Sequence, residues 1–313
     1  MFKISVIIPV KNEELTIARL LEALLAQTRI PDDIIITDGG SADKTVSIIK
    51  EYAHKNSSIK LICLPEAFPG KGRNSSIARS GSDIIASIDA GCEPVKNWLE
   101  ELIKPFEADP EVKVVYGRYK PAVKTLLEKC FVLATEPSGY DFSVASMAHK
   151  KEVWEKVGGY PEDLRSGEDT VFKSKIRDIG SKAVINCNAL MYWQPRSNIP
   201  DFFMQFYNHA NSSGRLGLRT AFYARKIIFI SIFMLFTIIG IFAYPVFLFF
   251  AAALYMIWMS FTMIKHYDRL SDIKITPMVY LTLPAVFFTR DMAQVCGYVT
   301  GLMRRFIKTD RGL

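Results

Sequence analysis

Four short polar segments each follow an apolar run, and their residue types suit binding of a polar, oxygen-rich ligand. They are Pro9-Val10-Lys11-Asn12-Glu13-Glu14, Thr37-Asp38-Gly39-Gly40-Ser41, Pro69-Gly70-Lys71-Gly72-Arg73-Asn74 and Ile88-Asp89-Ala90-Gly91-Cys92-Glu93-Pro94. Carboxylates accept hydrogen bonds from N–H and hydroxyl groups, and an arginine fork suits phosphates. A fifth acidic pair, Glu168-Asp169, opens a helical pattern that runs through Ile179, before Gly180. Acids are favoured at a helix N-terminus for their charge alone, and one there can also take a proton from an attacking hydroxyl. Taken singly, Asp-Gly-Gly-Ser reads as a turn plus helix cap and Gly-Lys-Gly as a loop. Neither G-x-G-x-x-G after the first strand nor G-x-x-x-x-G-K-[ST] occurs, which argues against dinucleotide and P-loop sites. The five cysteines are scattered and form no CxxC or Cys/His set. The four histidines form no pair with ligand spacing and read as surface or packing residues. A structural zinc site and a disulfide scaffold are thereby excluded, and a reducing compartment fits.

The elements that must carry these tips are legible. Ile4–Pro9, Asp33–Asp38, Lys60–Leu64 and Asp83–Asp89 read as strands. Between the first two, Glu13–Gln27 places Leu15, Leu20, Leu21, Leu24 and Leu25 on one apolar face. Asp43–His54 opens a helix after Ser41, its expected N-cap. Apolar strands alternating with helices predict an α/β fold, a mostly parallel sheet covered by helices. In such sheets ligands bind outside the carboxyl ends of the strands, where the polar tips cluster.

The order and spacing of the tips, continued by Gly158-Gly159-Tyr160-Pro161 and Gly167-Glu168-Asp169-Thr170, resembles the family 2 inverting glycosyltransferases over roughly residues 3–215. The resemblance implies the glycosyltransferase A fold (Rossmann-like) and a nucleotide-diphosphate sugar donor. It places Pro9, Glu13 and Asp38 at the nucleoside, Arg73 at the base or a phosphate, and Asp89 and Ala90 at the diphosphate. Asp169 stands where the family has its catalytic base, with Glu168 beside it. Members often hold a Mg²⁺ or Mn²⁺ through the third residue of an Asp-x-Asp motif and a later histidine. Here the third position is Gly91, and Met191-Tyr192-Trp193 contains no histidine. Either Asp89, with Glu93, holds the metal weakly alongside the phosphates, or basic residues partly replace it. Membrane-bound relatives have an interface helix, sometimes with a Gln-x-x-Arg-Trp motif, which this sequence lacks. The helix has its place here at about 199–215, where Gln205 and Arg215 are loose analogues on the acceptor or phosphate side. Phe202, Phe203, Phe206 and Tyr207 fit an interfacial helix or a core-facing stripe.

Composition divides the 313-residue chain. Half of the residues are hydrophobic, mean hydropathy is +0.14 and the formal net charge is +7. From Ile227 to Ile264 there is no charged residue, His, Asn or Gln. The run breaks at Ala243-Tyr244-Pro245, predicting spans of about 227–244 and 246–264, each just long enough to cross a bilayer. Arg215, Arg219, Arg225 and Lys226 precede it. Lys265, Arg269 and Lys274 follow it, diluted by Asp268 and Asp272. Basic flanks on both sides place both ends inside. The N-terminus lacks the pattern of a signal peptide, so residues 1–226 are expected to form a cytosolic catalytic domain and 227–313 the membrane region. A third apolar stretch, 277–303, is interrupted by Arg290 and Asp291. It is expected to lie as an amphipathic segment at the surface ahead of Arg304, Arg305 and Lys308, or else to form a third span.

These readings predict an integral membrane enzyme of cell-envelope glycan synthesis, moving a sugar to the hydroxyl of a lipid-linked or glycolipid acceptor. The alternatives are a polyprenyl-phosphate sugar synthase, whose phosphate acceptor needs no base, and a noncatalytic nucleotide-sugar-binding protein. Two spans do not readily build the channel of a processive synthase. Nucleic acid is excluded as a partner because the basic excess gathers beside the apolar run. A hairpin anchor is compatible with self-association.

Overall fold

The computed structural model describes residues 2–135, 144–265 and 276–310, the side chains of Lys265 and of 308–310 excepted. His266, Asp268, Arg269, Asp272 and Lys274, and the side chains of Lys265 and Lys308, therefore lie outside the described residues. The chain forms two compact units. One comprises Met1–Ala122 with Gly139–Gln194, the other Val123–Ser138 with Pro195–Leu313. The expected interface helix thus belongs to the second, helical unit.

The first unit is built on an eight-stranded sheet. Its strands are β1 (Ile4–Val10), β2 (Asp33–Asp38), β3 (Ile59–Cys63), β4 (Ile84–Ser87), β5 (Cys92–Pro94), β6 (Val114–Pro121), β7 (Met147–Lys150) and β8 (Ala183–Trp193), in the order β3-β2-β1-β4-β7-β6-β8-β5. The first four are mutually parallel, as expected. The sheet as a whole is mixed: β7 runs antiparallel to both β4 and β6, and β5 antiparallel to β8. Parallel pairs, β6 with β8 among them, still outnumber antiparallel ones, so the sheet is mostly but not purely parallel. Strand direction depends on the end from which the chain re-enters the sheet, and the short apolar segment Met147-Ala148-His149-Lys150 carries no mark of it.

Apolar character on both faces buries the central strands. Ile4, Val6, Ile7 and Ile8 of β1 and Ile34, Ile35 and Ile36 of β2 are fully buried, each contributing about 1.5–3 kcal/mol of transfer free energy. Pro9 lacks an N–H, and it sits beyond the last β1–β4 pair, Ile7 with Ser87, where a central strand tolerates it. Helix α1 (Ile17–Leu25) buries Ile17, Leu20, Leu21 and Leu24, a helical repeat that packs on the sheet. Leu15, expected on that face, precedes the helix and is 85% exposed. Helix α2 (Thr45–Lys55) is capped at Lys44 rather than Ser41. Helix α3 (Pro69–Arg79) replaces the expected Gly-Lys-Gly loop, with Pro69 pre-set for the first helical turn. Helices α4 (Trp98–Ala108), α6 (Lys151–Val157) and α7 (Glu168–Asp178) complete this unit.

The helical unit contains α5 (Leu126–Ala134), α8 (Ile199–Leu216), α9 (Thr220–Phe242), α10 (Val246–Lys265) and α11 (Pro277–Asp310). Helix α8 starts at Asn198, whose side chain accepts from the Asp201 N–H at 2.9 Å. Phe202 and Phe206 face inward, Phe202 stacked on Phe131 at 4.1 Å. The aromatic stripe is therefore partly core within this unit. Helices α8 and α11 lie backbone against backbone. A Cβ on Gly214, Gly297 or Gly301 would stand 2.4, 2.3 or 2.2 Å from the carbonyl oxygen of Tyr298, Tyr207 or Asn211. Helices α9 and α10 are long and apolar enough to cross a membrane, and they part at Ala243-Tyr244-Pro245.

Arg290 and Asp291 do not break the third apolar stretch, which is one continuous helix. Both are buried. Asp291 accepts from Lys226 Nζ at 2.7 Å, from Arg290 Nε at 2.8 Å and from Trp258 Nε1 at 2.9 Å. Arg290 also donates to the Ala134 carbonyl at 2.8 Å. Pairing inside the unit offsets part of the penalty that an isolated buried charge would carry.

Candidate active site

The ends of β1 and β2 are laced together by side chains. The Asn12 N–H donates to Ser41 Oγ at 2.8 Å, the Ala42 N–H to Asn12 Oδ1 at 2.8 Å and the Glu13 N–H to Thr45 Oγ1 at 2.7 Å. Asp38 sits inside its own turn. It accepts from the Gly40 N–H at 3.0 Å, the Ser41 N–H at 3.1 Å and the Ser41 hydroxyl at 2.5 Å. Pro9 and Glu13 are half-buried beside it. Glu13 Oε2 accepts from the Thr16 hydroxyl at 2.5 Å, and it would stand 4.0 Å from a Cβ added to Gly91. The first and fourth tips therefore meet.

Arg73 is the centre of the rim. It projects from α3 and is 3% exposed. Its NH1 donates to Glu168 Oε1 at 2.5 Å and its NH2 to Asp89 Oδ1 at 2.6 Å. The guanidinium lies 5.6 Å from the centre of the Tyr160 ring, within cation–π range. Burial opposes its charge, but the carboxylates of Asp89 and Glu168 outweigh burial and hold the guanidinium protonated above its ordinary range. The two acids differ in exposure: the Glu168 side chain is 8% exposed and that of Asp89 46%. Burial raises the Glu168 pKa, with Arg73 pulling the other way. One position on, Asp169 is half-buried, and its Oδ1 accepts from the Thr170 N–H at 2.7 Å. The two acids at the start of α7 thus divide, one locked onto Arg73 and one facing outward.

The 158–161 segment clamps α3 to α7. Asn74 donates to the Tyr160 carbonyl at 2.9 Å and accepts from the Tyr160 N–H and Trp154 Nε1, both at 2.9 Å. Gly159 holds a left-handed φ of +69°, and a Cβ there would stand 2.8 Å from Asn74 Oδ1. A Cβ on Gly70 would lie 2.1 Å from the Pro161 carbonyl oxygen, so only glycine lets α3 approach. Tyr160 stacks on Phe172 of α7 at 3.8 Å. Asn74 and Tyr160 were not singled out as functional from sequence. Their only signal was adjacency to Arg73 and to the Gly-Gly pair.

Other expected site residues lie elsewhere. Ala90 is buried behind Asp89. Glu93 is exposed on β5, 4.0 Å from Arg19. Gln205 and Arg215 lie half-buried on α8, in the helical unit. Among the described residues no group of three His, Cys, Asp or Glu side chains could hold a metal ion. Asp89 offers one carboxylate, already engaged by Arg73 through Oδ1, and Gly91 offers none. This donor set does not build a protein metal cage. Beside it, burial and the Asp89 charge push the Cys92 thiol well up, which keeps it protonated.

Residues 5–129 match the family model for glycosyl transferase family 2. That segment resembles the family, and proteins similar to the chain are named glycosyltransferases. It is 29% identical over 199 residues to the probable glycosyltransferase YdaM of Bacillus subtilis, covering 57% of this chain and 47% of the relative. It is 27% identical over 189 residues to the glycosyltransferase AglE of Haloferax volcanii, covering 56% of this chain and 62% of the relative. The chain thus spans about half to three-fifths of the length of these relatives. Among solved structures it resembles the mannosyltransferase PcManGT from Pyrobaculum calidifontis in complex with GDP-Man and Mn²⁺. The TM-score is 0.58 at 20% identity, covering 94% of this chain and 87% of that one. This likeness shows a shared fold.

Proposed function

We propose that the protein is a membrane-anchored inverting glycosyltransferase. It moves a sugar from a nucleotide-diphosphate sugar to the hydroxyl of a lipid-linked or glycolipid acceptor at the cytoplasmic face. The observation that carries this reading is the division of labour at the start of α7: Glu168 is buried on Arg73 while Asp169 remains half-exposed. The nucleoside lies against the laced ends of β1 and β2, and the diphosphate near Asp89 and the Arg73 guanidinium. Asp169 faces the acceptor.

In the transfer step, the acceptor oxygen attacks the anomeric carbon from the side opposite the diphosphate, and its proton passes to the Asp169 carboxylate. The bond from the anomeric carbon to the phosphate oxygen breaks, and the nucleoside diphosphate leaves with the electron pair. The configuration inverts. Arg73 serves twice, offering positive charge near the leaving group and holding Glu168 so that α7 keeps Asp169 in place. Helices α9 and α10 support the anchored, lipid-directed part of the reading through their length and apolar surface.

Membranes containing the protein, incubated with a panel of radiolabelled nucleotide sugars, should transfer label from one of them into the lipid extract. Label found in no lipid from any donor, while a water-soluble acceptor is labelled, would overturn the lipid-acceptor reading.

A further inference from the structure

Between Asp201 and Asp268 the chain contains no acidic residue, and between Asp291 and Asp310 it again contains none. Two segments inside these stretches share a pattern of arginines set among apolar side chains. One is Arg215-Leu216-Gly217-Leu218-Arg219, the turn between α8 and α9. The other is Met303-Arg304-Arg305-Phe306-Ile307, near the end of α11.

The helical unit brings these segments together. Gly217 ends α8 with a left-handed φ of +68°, and a Cβ on it would meet Arg305 NH1 at 2.0 Å. The Arg305 guanidinium therefore lies directly on the turn. Tyr298 of α11 stacks on Tyr223 of α9 at 4.2 Å, and its hydroxyl lies 3.1 Å from Thr220 Oγ1. The junction is firmly built, yet the large apolar side chains around it point outward. Leu218 is 40% exposed, Met303 60% and Phe306 65%. Arg219, Arg225, Arg304 and Arg305 are exposed among them. In a water-facing surface such apolar groups gain nothing. Beside arginines of one sign, at the start of an apolar helix long enough to cross a bilayer, they match a headgroup layer whose phosphates meet the guanidinium forks and whose upper acyl region takes the side chains.

We infer that this junction is a binding surface for anionic phospholipid. It rests on the membrane-anchored reading above and adds to it a preference for acidic headgroups, borne by the 215–219 and 303–307 segments rather than by the apolar hairpin.

The full chain, purified in neutral detergent, is titrated with phosphatidylglycerol or phosphatidylcholine solubilised in the same detergent, and bound lipid is counted by native mass spectrometry. Wild type should prefer phosphatidylglycerol. R304Q/R305Q should lose about 25-fold in phosphatidylglycerol affinity, at about five-fold per arginine, and leave phosphatidylcholine binding unchanged. R304K/R305K should keep the preference, which separates charge from packing against Gly217. K50Q/K156Q, the same charge change on the other unit, should behave as wild type. Equal binding of both lipids by wild type would overturn the proposal. So would a full preference retained by R304Q/R305Q eluting and melting as wild type does. Alkaline carbonate washing of membranes reads the anchor separately: release of wild type would sink the anchored reading, whereas equal binding of the two lipids by a wild type that resists carbonate would sink the headgroup surface alone.

Discussion

Arg73 NH1 donates to Glu168 Oε1 at 2.5 Å, and both side chains are almost wholly removed from solvent. The pair joins α3 to the start of α7 across 95 positions of chain, and the second fork of the same arginine reaches Asp89. Glu168 is thus a partner of the guanidinium before it is anything else. Breaking a buried pair from one side leaves the other charge uncompensated, at a cost of about 3–5 kcal/mol.

Glu168→Ala should therefore lower unfolding free energy by about 3 kcal/mol or more, together with a loss of donor binding as Arg73 shifts. Glu168→Gln keeps a hydrogen-bond acceptor and should cost less. Denaturation of the detergent-solubilised chain beside donor titration reads both, and an unchanged melting curve for Glu168→Ala would reject the structural role.

Asp169→Asn isolates the proton transfer. Donor affinity should stay near wild type while transfer falls at least ~100-fold, about 2.7 kcal/mol in the barrier. Glu168→Gln should slow transfer less than this. A phosphate acceptor is already ionised, so near-normal transfer by Asp169→Asn would remove the hydroxyl-acceptor mechanism and favour the polyprenyl-phosphate reading.

Chelation bears on the diphosphate site. With one carboxylate at 89, none at 91 and Arg73 alongside, donor binding should weaken on adding EDTA but persist. Asp89→Ala should weaken it more than Glu93→Ala, since Glu93 is exposed and faces Arg19. Calorimetry of donor binding with and without EDTA would settle this. Equal affinity of wild type and Asp89→Ala under both conditions would remove Asp89 from the site.

His149 predicts an acid sensitivity. It is fully buried on β7, with Nδ1 2.9 Å from the Lys150 carbonyl oxygen, and burial lowers its pKa from 6.5 to about 4. The native state binds fewer protons than the unfolded chain in that window. Stability is therefore full above about pH 6.5 and lost as pH falls toward 4, by an amount on the order of 3 kcal/mol. His149→Leu should flatten the stability profile between those values. A slope as steep as wild type's would assign the sensitivity to other groups.

The amino-acid sequence by itself determined the local elements of the first four strands and two helices, because continuous apolar runs and a helical apolar repeat are near-neighbour properties. It also placed the break in the apolar run at Ala243-Tyr244-Pro245, where proline and the end of helical pattern coincide. Chain order puts the polar tips on one rim of a parallel sheet, and their order and spacing carry the resemblance that implied glycosyl transfer. Tertiary structure decided what depended on contacts between distant residues. Gly70 and Gly72 looked like a loop until the Pro161 carbonyl, against which α3 packs, showed why a helix needs glycine there. Arg290 and Asp291 looked like an interruption until Lys226 and Trp258 were found donating to Asp291, and Arg290 donating to the Ala134 carbonyl. Asp38 could be read from sequence as a polar tip, but that both its carboxylate oxygens accept from its own Gly40–Ser41 turn depended on the folded backbone. Glu168 and Asp169, identical in kind and adjacent in sequence, were separated only by Arg73, because burial and pairing belong to the folded neighbourhood of a side chain and not to its place in the chain.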